Sequence, residues 1–432
     1  MTATLDRLLA DVLHADGPQE VPNAIVEAAL VRARSVNQRR PFLTSLDRRA
    51  WPAPVLSLGN RTIARFAMMA ALVLLTLAVI GAAVSVGSRV FRPSTAPFSW
   101  STAGSMAEAR FQHSATLLAD GRVLVAGGGR GDSPLRTAEI YDPFTGQWTP
   151  TANLLDARTF HTATLLPDGR VLVVGGINPN GSMASAELYD PATSTWSRAS
   201  GLTTSRAQHS AVLLSDGRAL VIGGSAGEVA APSAEVYDPT ANTWTRTELM
   251  NQWRASAAAT LLSNGQVLVA GGFTIDNASS ASCELFDPVL GTWTSTRSMA
   301  LSRPDGHTAT LLADGRVLVA GGTGPPELYD PSADSWSKTG PMLLVGGGGH
   351  TASLLPEGRI LVAGGVGIDM TAKPTTQLFD PATEMWSAST PLDEARQGAT
   401  AVLLGDGRVL VLGGIGTVGN ALSSAEAYST AP

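Results

Sequence analysis

The sequence predicts an all-β ring of seven four-stranded blades, a β-propeller, and three observations carry that prediction. The first is repetition. A Gly-Gly doublet closes an apolar run at 127–128, 175–176, 223–224, 271–272, 321–322, 364–365 and 413–414, and the first three steps are each 48 residues. A fixed period near 50 residues with four short strands per period is the mark of a propeller or a similar array. The second is the run before each doublet, as in Val171-Leu172-Val173-Val174, which is continuously apolar rather than alternating. A strand of that kind is buried on both faces, the setting that radially stacked blades provide. The third is phase. Trp100, Trp148, Trp196, Trp244, Trp293, Trp336 and Trp386 match the doublets in number, but Trp100 precedes the first doublet and the last repeat stops at Tyr428 without a tryptophan. The ring therefore closes by giving residues 97–103 to the last blade as its fourth strand, which leaves no open edge.

Each repeat reads as four strands in order. The first carries His-Ser/Thr-Ala-Thr-Leu-Leu, as at His113 to Leu118. A tight turn follows at Asp120-Gly121, Asp168-Gly169, Asp216-Gly217, Asp314-Gly315 and Asp406-Gly407, with Asn264-Gly265 and Glu357-Gly358 as variants. Such pairs accept the positive φ that a two-residue hairpin needs. The second strand is the apolar run, and its Gly-Gly ends it where a side chain would collide with a neighbour. The third ends in Tyr-Asp-Pro or Phe-Asp-Pro (Tyr141, Tyr189, Tyr237, Phe286, Tyr329, Phe379), where proline stops the ladder, and the fourth carries the tryptophan.

Gly-Gly after an apolar strand, then Tyr, then Trp some 20 residues past the doublet, resembles the kelch family. The resemblance covers residues 97–432. It implies a seven-bladed propeller related in shape to the galactose oxidase central domain, with partners bound on the variable-loop face.

The stretch before the ring has a different character. Residues 1–65 form a basic arm, expected to be partly helical, with Leu5, Leu8, Leu9, Val12 and Leu13 at helical spacing. It carries Arg32, Arg34, Arg39, Arg40, Arg48, Arg49, Arg61 and Arg65. Residues 66–87 then hold no charge over 22 positions, long enough to cross about 30 Å of hydrocarbon as a helix. The arginines before the span outweigh Arg89 and Arg92 after it, which places the arm in the cytoplasm and the ring outside, as a single-pass membrane protein. Residues 88–96 are a linker reaching at most roughly 30 Å. An arm of this kind ahead of a span is similar to those of bacterial membrane-bound anti-sigma factors, though it has no His/Cys zinc pattern. Past Arg92 acidic side chains outnumber basic ones, which argues against nucleic acid as a partner. A single cysteine, Cys283, excludes an internal disulfide framework.

On a rigid ring, binding belongs to the loops that vary. The second-to-third and fourth-to-first loops vary, and they share one face. The latter carry a recurring arginine at Arg110, Arg158, Arg206, Arg254, Arg303 and Arg396, replaced in the sixth repeat by Gly346-Gly347-Gly348-Gly349. Guanidinium groups ringing a channel mouth would bind an acidic peptide or a sugar carboxylate. The alternative is a structural arginine paired with backbone carbonyls or with the repeated Glu139, Glu187, Glu235, Glu284, Glu327 and Glu426. Trp253, outside the repeat pattern, is a candidate exposed anchor or the cover of a core edge. The trimmed loop Thr323-Gly324-Pro325-Pro326 and the glycine run mark blades 5 and 6 as the place for a notch. His113, His161, His209, His307 and His350 share one repeat position, but histidines on separate blades form a circle and do not converge on a metal. Asn277-Ala278-Ser279 fits a glycosylation acceptor. No catalytic grouping, metal site or cofactor motif stands out. The expectation is a binding module for a protein, peptide or glycan ligand, held to membrane lipid by residues 66–87. A copper-radical or carbohydrate-active enzyme related to galactose oxidase, and an anti-sigma-like signalling protein with the ring as sensor, are the alternatives.

Overall fold

The computed structural model describes residues 98–225, 233–304, 306–322, 324–343 and 348–429. The expected arm (1–65), span (66–87) and linker (88–96) lie outside them. Among the described residues no helix is long and apolar enough to cross a membrane.

Seven four-stranded antiparallel sheets follow one another along the chain. Blade 1 is Ser114–Leu117, Val123–Ala126, Ala138–Asp142 and Gln147–Pro150, and blades 2 to 6 repeat that order. Blade 7 takes Thr400–Leu403, Val409–Leu412 and Ser424–Ser429 from the end of the chain, and Ser99–Ser105 from its start. Trp100 pairs with Tyr428 there as Trp148 pairs with Tyr141 in blade 1. In every blade the two rings meet at 4.9–5.0 Å between centroids, tilted against each other.

The core lies between blades, in seven apolar layers. Val123 and Val125 pack against Leu410 and Leu412 of blade 7, while Leu124 and Ala126 of the same strand pack against Val171 and Val173 of blade 2. Both faces of the second strand are therefore buried, which is why its sequence does not alternate. The tryptophans close the outer margin of each joint. Trp196 Nε1 donates to the Ala152 carbonyl at 2.8 Å and Trp244 Nε1 to the Ser200 carbonyl at 2.7 Å, each in the preceding blade. At the closure Trp100 Nε1 donates to Thr390 O at 2.9 Å, and Ala103 of the closing strand accepts from Trp148 Nε1 at 2.8 Å. One strand thus serves both joints of blade 7.

The Gly-Gly doublets mark close approach between blades. A Cβ on Gly175, which sits at φ +61°, would stand 2.5 Å from the Arg206 carbonyl and 2.8 Å from Cε1 of His209 in the next blade. The imidazole occupies the space a side chain there would need.

The Asp-Gly and Asp-Pro turns fall on one face of the ring, and the variable loops on the other. The Tyr–Trp pair of each blade stands beside its Asp-Pro turn. The matching pair Tyr428–Trp100 therefore puts Ser99 and Ser429, paired with each other, where that turn would be. Ser99 and Ser429, near the two ends of the described ring, therefore lie on the turn face.

Candidate ligand-binding face

The recurring arginines order the loop face. All six guanidinium groups are turned into their blades, with exposures of 0–2%. Each pairs with the glutamate of the third strand: Arg110–Glu139 at 2.8 Å, Arg158–Glu187 at 2.6 Å, Arg206–Glu235 at 2.8 Å, Arg254–Glu284 at 2.8 Å, Arg303–Glu327 at 3.0 Å and Arg396–Glu426 at 2.6 Å. The other terminal nitrogen donates to carbonyls of the Gly-Gly loop, as Arg158 Nη1 does to Gly175 O at 2.6 Å and Ser185 O at 3.1 Å. The glutamate in turn accepts backbone N–H groups of the fourth-to-first loop, from Leu155 at 2.6 Å and Asp156 at 3.0 Å in the case of Glu187. Arginine and glutamate together clasp the two loops of a blade. Burial pulls Arg110, Arg158, Arg206 and Arg303 below the usual guanidinium range, opposed by the paired carboxylates. The ring of positive charge that would bind an acidic ligand is therefore not formed, because these donors are directed inside the blades.

Blade 6 has no arginine at this place, and no glutamate either. Gln377 stands at the glutamate position, 1% exposed, and its Oε1 accepts from the Leu343 N–H at 2.6 Å. Charge is lost from both partners together, leaving no unpaired ion. Gln377 was the sequence signal for the clasp: the one repeat without the arginine is the one without the acid.

Two residues past each arginine is a position in left-handed conformation: Gln112, Phe160, Gln208, Ser256, Gly398 and, with one residue inserted before it, Gly306, all at φ between 50° and 71°; Gly349 of blade 6, φ 77°, completes the set. Backbone bonds join them round the central channel. Phe160 N donates to Gln112 O at 3.2 Å, Gln208 N to Phe160 O at 3.2 Å and Ser256 N to Gln208 O at 2.8 Å. On the far side Gly349 N donates to Gly306 O at 2.9 Å and Gly398 N to Gly349 O at 2.8 Å. Four consecutive blades thus present side chains to the channel mouth and three present bare backbone. A cavity of about 220 Å³ opens there, lined by Gln112, Phe160, Gln208, Ser256, Gly306 and histidines of the next layer. Larger clefts of about 410 Å³ lie between blades on the turn face, built from the repeated Asp-Gly and Asp-Pro turns. Those recur from joint to joint. The mouth cavity is lined by residues that differ between blades, so it is the better candidate for specific recognition.

The histidines form the layer below. His161 Nε2 lies 3.0 Å from the Ser114 hydroxyl, His209 Nε2 2.9 Å from Thr162 Oγ1, His350 Nε2 3.1 Å from Thr308 Oγ1, and His113 Nε2 2.7 Å from Thr400 Oγ1. His307 instead reaches the Ala270 and Pro304 carbonyls. Burial holds His161 and His209 down to about 3 and His350 to about 4, and keeps His113 well below the ordinary imidazole value. His113, His161, His209 and His350 are neutral links between blades. Among the described residues no three His, Cys, Asp or Glu side chains gather where they could hold a metal. Cys283, which a cysteine-crosslinked copper site would require, is buried, and burial pushes its thiol up to about 12. The donor set does not fit a copper centre, and no step is derived through one.

Trp253 is half-buried on the loop face, and its indole N–H is enclosed with no hydrogen-bond partner. The second-to-third loop of blade 4 exposes Ile275, and that of blade 6 exposes Ile368 and Met370. Asn277 lies exposed on the blade-4 tip.

A family model described as the KLHDC2/KLHL20/DRC7 Kelch-repeats domain matches residues 85–272. No curated protein matches the chain. Among solved structures it is similar to a fungal alcohol oxidase of the AA5 family in complex with copper: 22% identity, 78% of this chain and 77% of that chain covered, TM-score 0.65. At that identity the likeness is one of fold. With seven closed blades in the described residues and a kelch-repeat model matching residues 85–272, the ring is a seven-bladed propeller whose repeats are similar to those of the kelch family.

Proposed function

We propose that the chain is a binding module that captures a protein, peptide or glycan ligand on the loop face of the propeller, around the channel mouth. A kelch propeller is an interaction scaffold, and one observation carries the reading here. The residues that repeat are occupied in holding the blades and their loops, whereas side chains that differ from blade to blade line the mouth. Trp253 and the apolar tips Ile275, Ile368 and Met370 supply further contact area on that face. Residues 66–87 hold the module to a membrane, with the arm cytoplasmic and the ring outside; the uncharged 22-residue run and the arginines before it support this.

The test has two arms. Membranes carrying the full chain are washed at alkaline pH and then treated with protease from outside. Retention in the membrane pellet with a ring accessible to protease supports anchoring, and release by the wash refutes it. Purified full chain is then titrated with ligand candidates, with copper content measured in parallel. Saturable binding abolished by Trp253→Ala or by changes at the mouth supports the module. One equivalent of tightly held copper with alcohol-dependent oxygen consumption would favour the oxidase reading instead.

A further inference from the structure

The chemistry of the mouth narrows the ligand class, and this inference rests on the loop-face reading just given. We infer that the channel mouth seats a single uncharged sugar ring, stacked on Phe160 and hydrogen-bonded by Gln112 and Gln208.

Four features lead there. Phe160 lies between Gln112 and Gln208 along the hydrogen-bonded backbone, and all three side chains line one cavity. Among the described residues neither amide has a hydrogen-bond partner, nor does the Ser256 hydroxyl beside them, although all three line the cavity. A carboxamide offers two donors and an acceptor, and so answers hydroxyls that both donate and accept. An aromatic face with its negative potential attracts the weakly positive C–H face of a pyranose. The lining holds no acid, lysine or exposed guanidinium, and burial keeps His161 and His209 beneath it neutral, so a charged ligand would find no counter-ion among them. The volume, about 220 Å³, is below the range of roughly 300–1,000 Å³ typical of sites for drug-sized ligands, so one ring fits better than an extended segment.

Conformation is the independent observation. Phe160 sits at φ 56°, Gln112 at 50° and Gln208 at 54°, a region unfavourable to residues with a Cβ. Blades 5, 6 and 7 place glycine there, at φ 71°, 77° and 58°, so the ring backbone itself does not require side chains. Bulky residues held where glycine would be relaxed point to a use other than packing.

The experiment uses the full chain and four probes, the methyl glycosides of glucose, galactose, mannose and N-acetylglucosamine, read by saturation-transfer NMR and calorimetric titration. Glucuronic acid and adenosine serve as counter-probes. The variants are Phe160→Gly and the pair Gln112→Ala with Gln208→Ala; Phe144→Ser, exposed on the opposite face, is the control. At least one glycoside is expected to bind saturably at one site per chain. Phe160→Gly should weaken it at least about tenfold without lowering the unfolding midpoint, because the residue removed was strained, and Phe144→Ser should change neither. Binding of none of the four, preference for glucuronic acid, binding of adenosine alone, or a Phe160→Gly variant that binds as wild type would each overturn the inference. So would a Phe160→Gly variant that unfolds early, since Phe160 would then be a packing residue. A peptide or protein that binds wild type and Phe160→Gly alike on the loop face would leave the interaction module standing and remove the sugar seat.

Discussion

Removing one member of a clasp should cost far more than removing both, and blade 6 shows why. In blade 2, Arg158 and Glu187 are fully buried and 2.6 Å apart. Replacing Arg158 with methionine leaves the carboxylate of Glu187 without its cation, and replacing Glu187 with glutamine leaves the guanidinium only the more distant, partly exposed carboxylate of Asp156 at 3.6 Å. Breaking one partner of a buried pair costs about 3–5 kcal/mol. The double variant Arg158→Met, Glu187→Gln resembles what blade 6 already carries. The carboxamide introduced by Glu187→Gln keeps an oxygen for the Leu155 N–H, as Gln377 does for Leu343. What remains is the loss of the bonds from Arg158 to the Gly175 and Ser185 carbonyls, at about 1–3 kcal/mol. The double variant should therefore be no worse than either single one, and the coupling energy should be about 3 kcal/mol or more. Urea denaturation of the full chain and the three variants, followed by tryptophan fluorescence, measures the cycle. The reverse change sharpens it. Gln377→Glu introduces a buried carboxylate with no guanidinium, so burial raises its folded-state pKa above the unfolded value. The variant should match wild type below about pH 4 and fall behind as pH rises, by about 3 kcal/mol at neutrality. Additive single and double costs, or a Gln377→Glu chain as stable as wild type at pH 7, would refute the clasp.

Three further outcomes follow from the joints between blades. Trp100→Ala removes the tilted contact with Tyr428 and the bond to Thr390, and should lower stability by about 3–5 kcal/mol, with hydrogen exchange rising first in blade 7. Gly175→Ala drives a methyl group toward the Arg206 carbonyl from a backbone at φ +61°, and should cost more than about 2 kcal/mol by the same denaturation assay. The neutral histidines give an acid limb. Their folded-state pKa values, about 3 for His161 and His209 and about 4 for His350, lie below the unfolded value, so protons favour the unfolded chain. The stability they confer is complete above about pH 6.5 and is lost as pH falls toward those values, at up to about 1.4 kcal/mol per pH unit for each residue. His161→Gln should flatten the slope of unfolding free energy between about pH 6 and pH 4 by close to one proton.

The blades were legible because repetition reports burial. A four-residue apolar run at one register in seven copies has a single explanation, and Trp100 standing one step out of phase located the closure. The clasp was half legible. Arg158 and Glu187 recur together, but spacing alone could not say whether the guanidinium turned toward the channel or into the blade; that depends on the carbonyls of Gly175 and Ser185, which have no sequence signature. The channel mouth was not legible. Gln112, Phe160 and Gln208 look like ordinary loop residues beside the arginine, and their shared left-handed conformation accompanies backbone bonds made between neighbouring blades. What singles them out is a comparison across repeats: glycine in three copies, and four side chains at a place glycine would suit.

The same comparison explains why asymmetry is tolerated where it is found. Each clasp orders the loops at the entry to one blade, and where Arg and Glu are lost in blade 6 the joints on either side are still held by apolar layers and by tryptophans. Trp386 Nε1 still reaches Thr339 Oγ1 at 3.2 Å across the joint between blades 5 and 6. The loop face is thereby released from the strictness of the ring. Fifth- and sixth-blade loops can shorten or become glycine-rich, and left-handed positions can carry Phe or Gln, while the layers between blades change little. Stability resides at the joints and variation at the loop face, so changes at the mouth should alter ligand choice with small effects on unfolding, and changes at the joints should do the reverse. A screen scoring both properties over Gln112, Phe160, Gln208 and Ser256 against Val125, Val173, Val221 and Val269 would show two separate clusters. A single correlated cloud would mean that the mouth is part of the packing and that its side chains serve the fold.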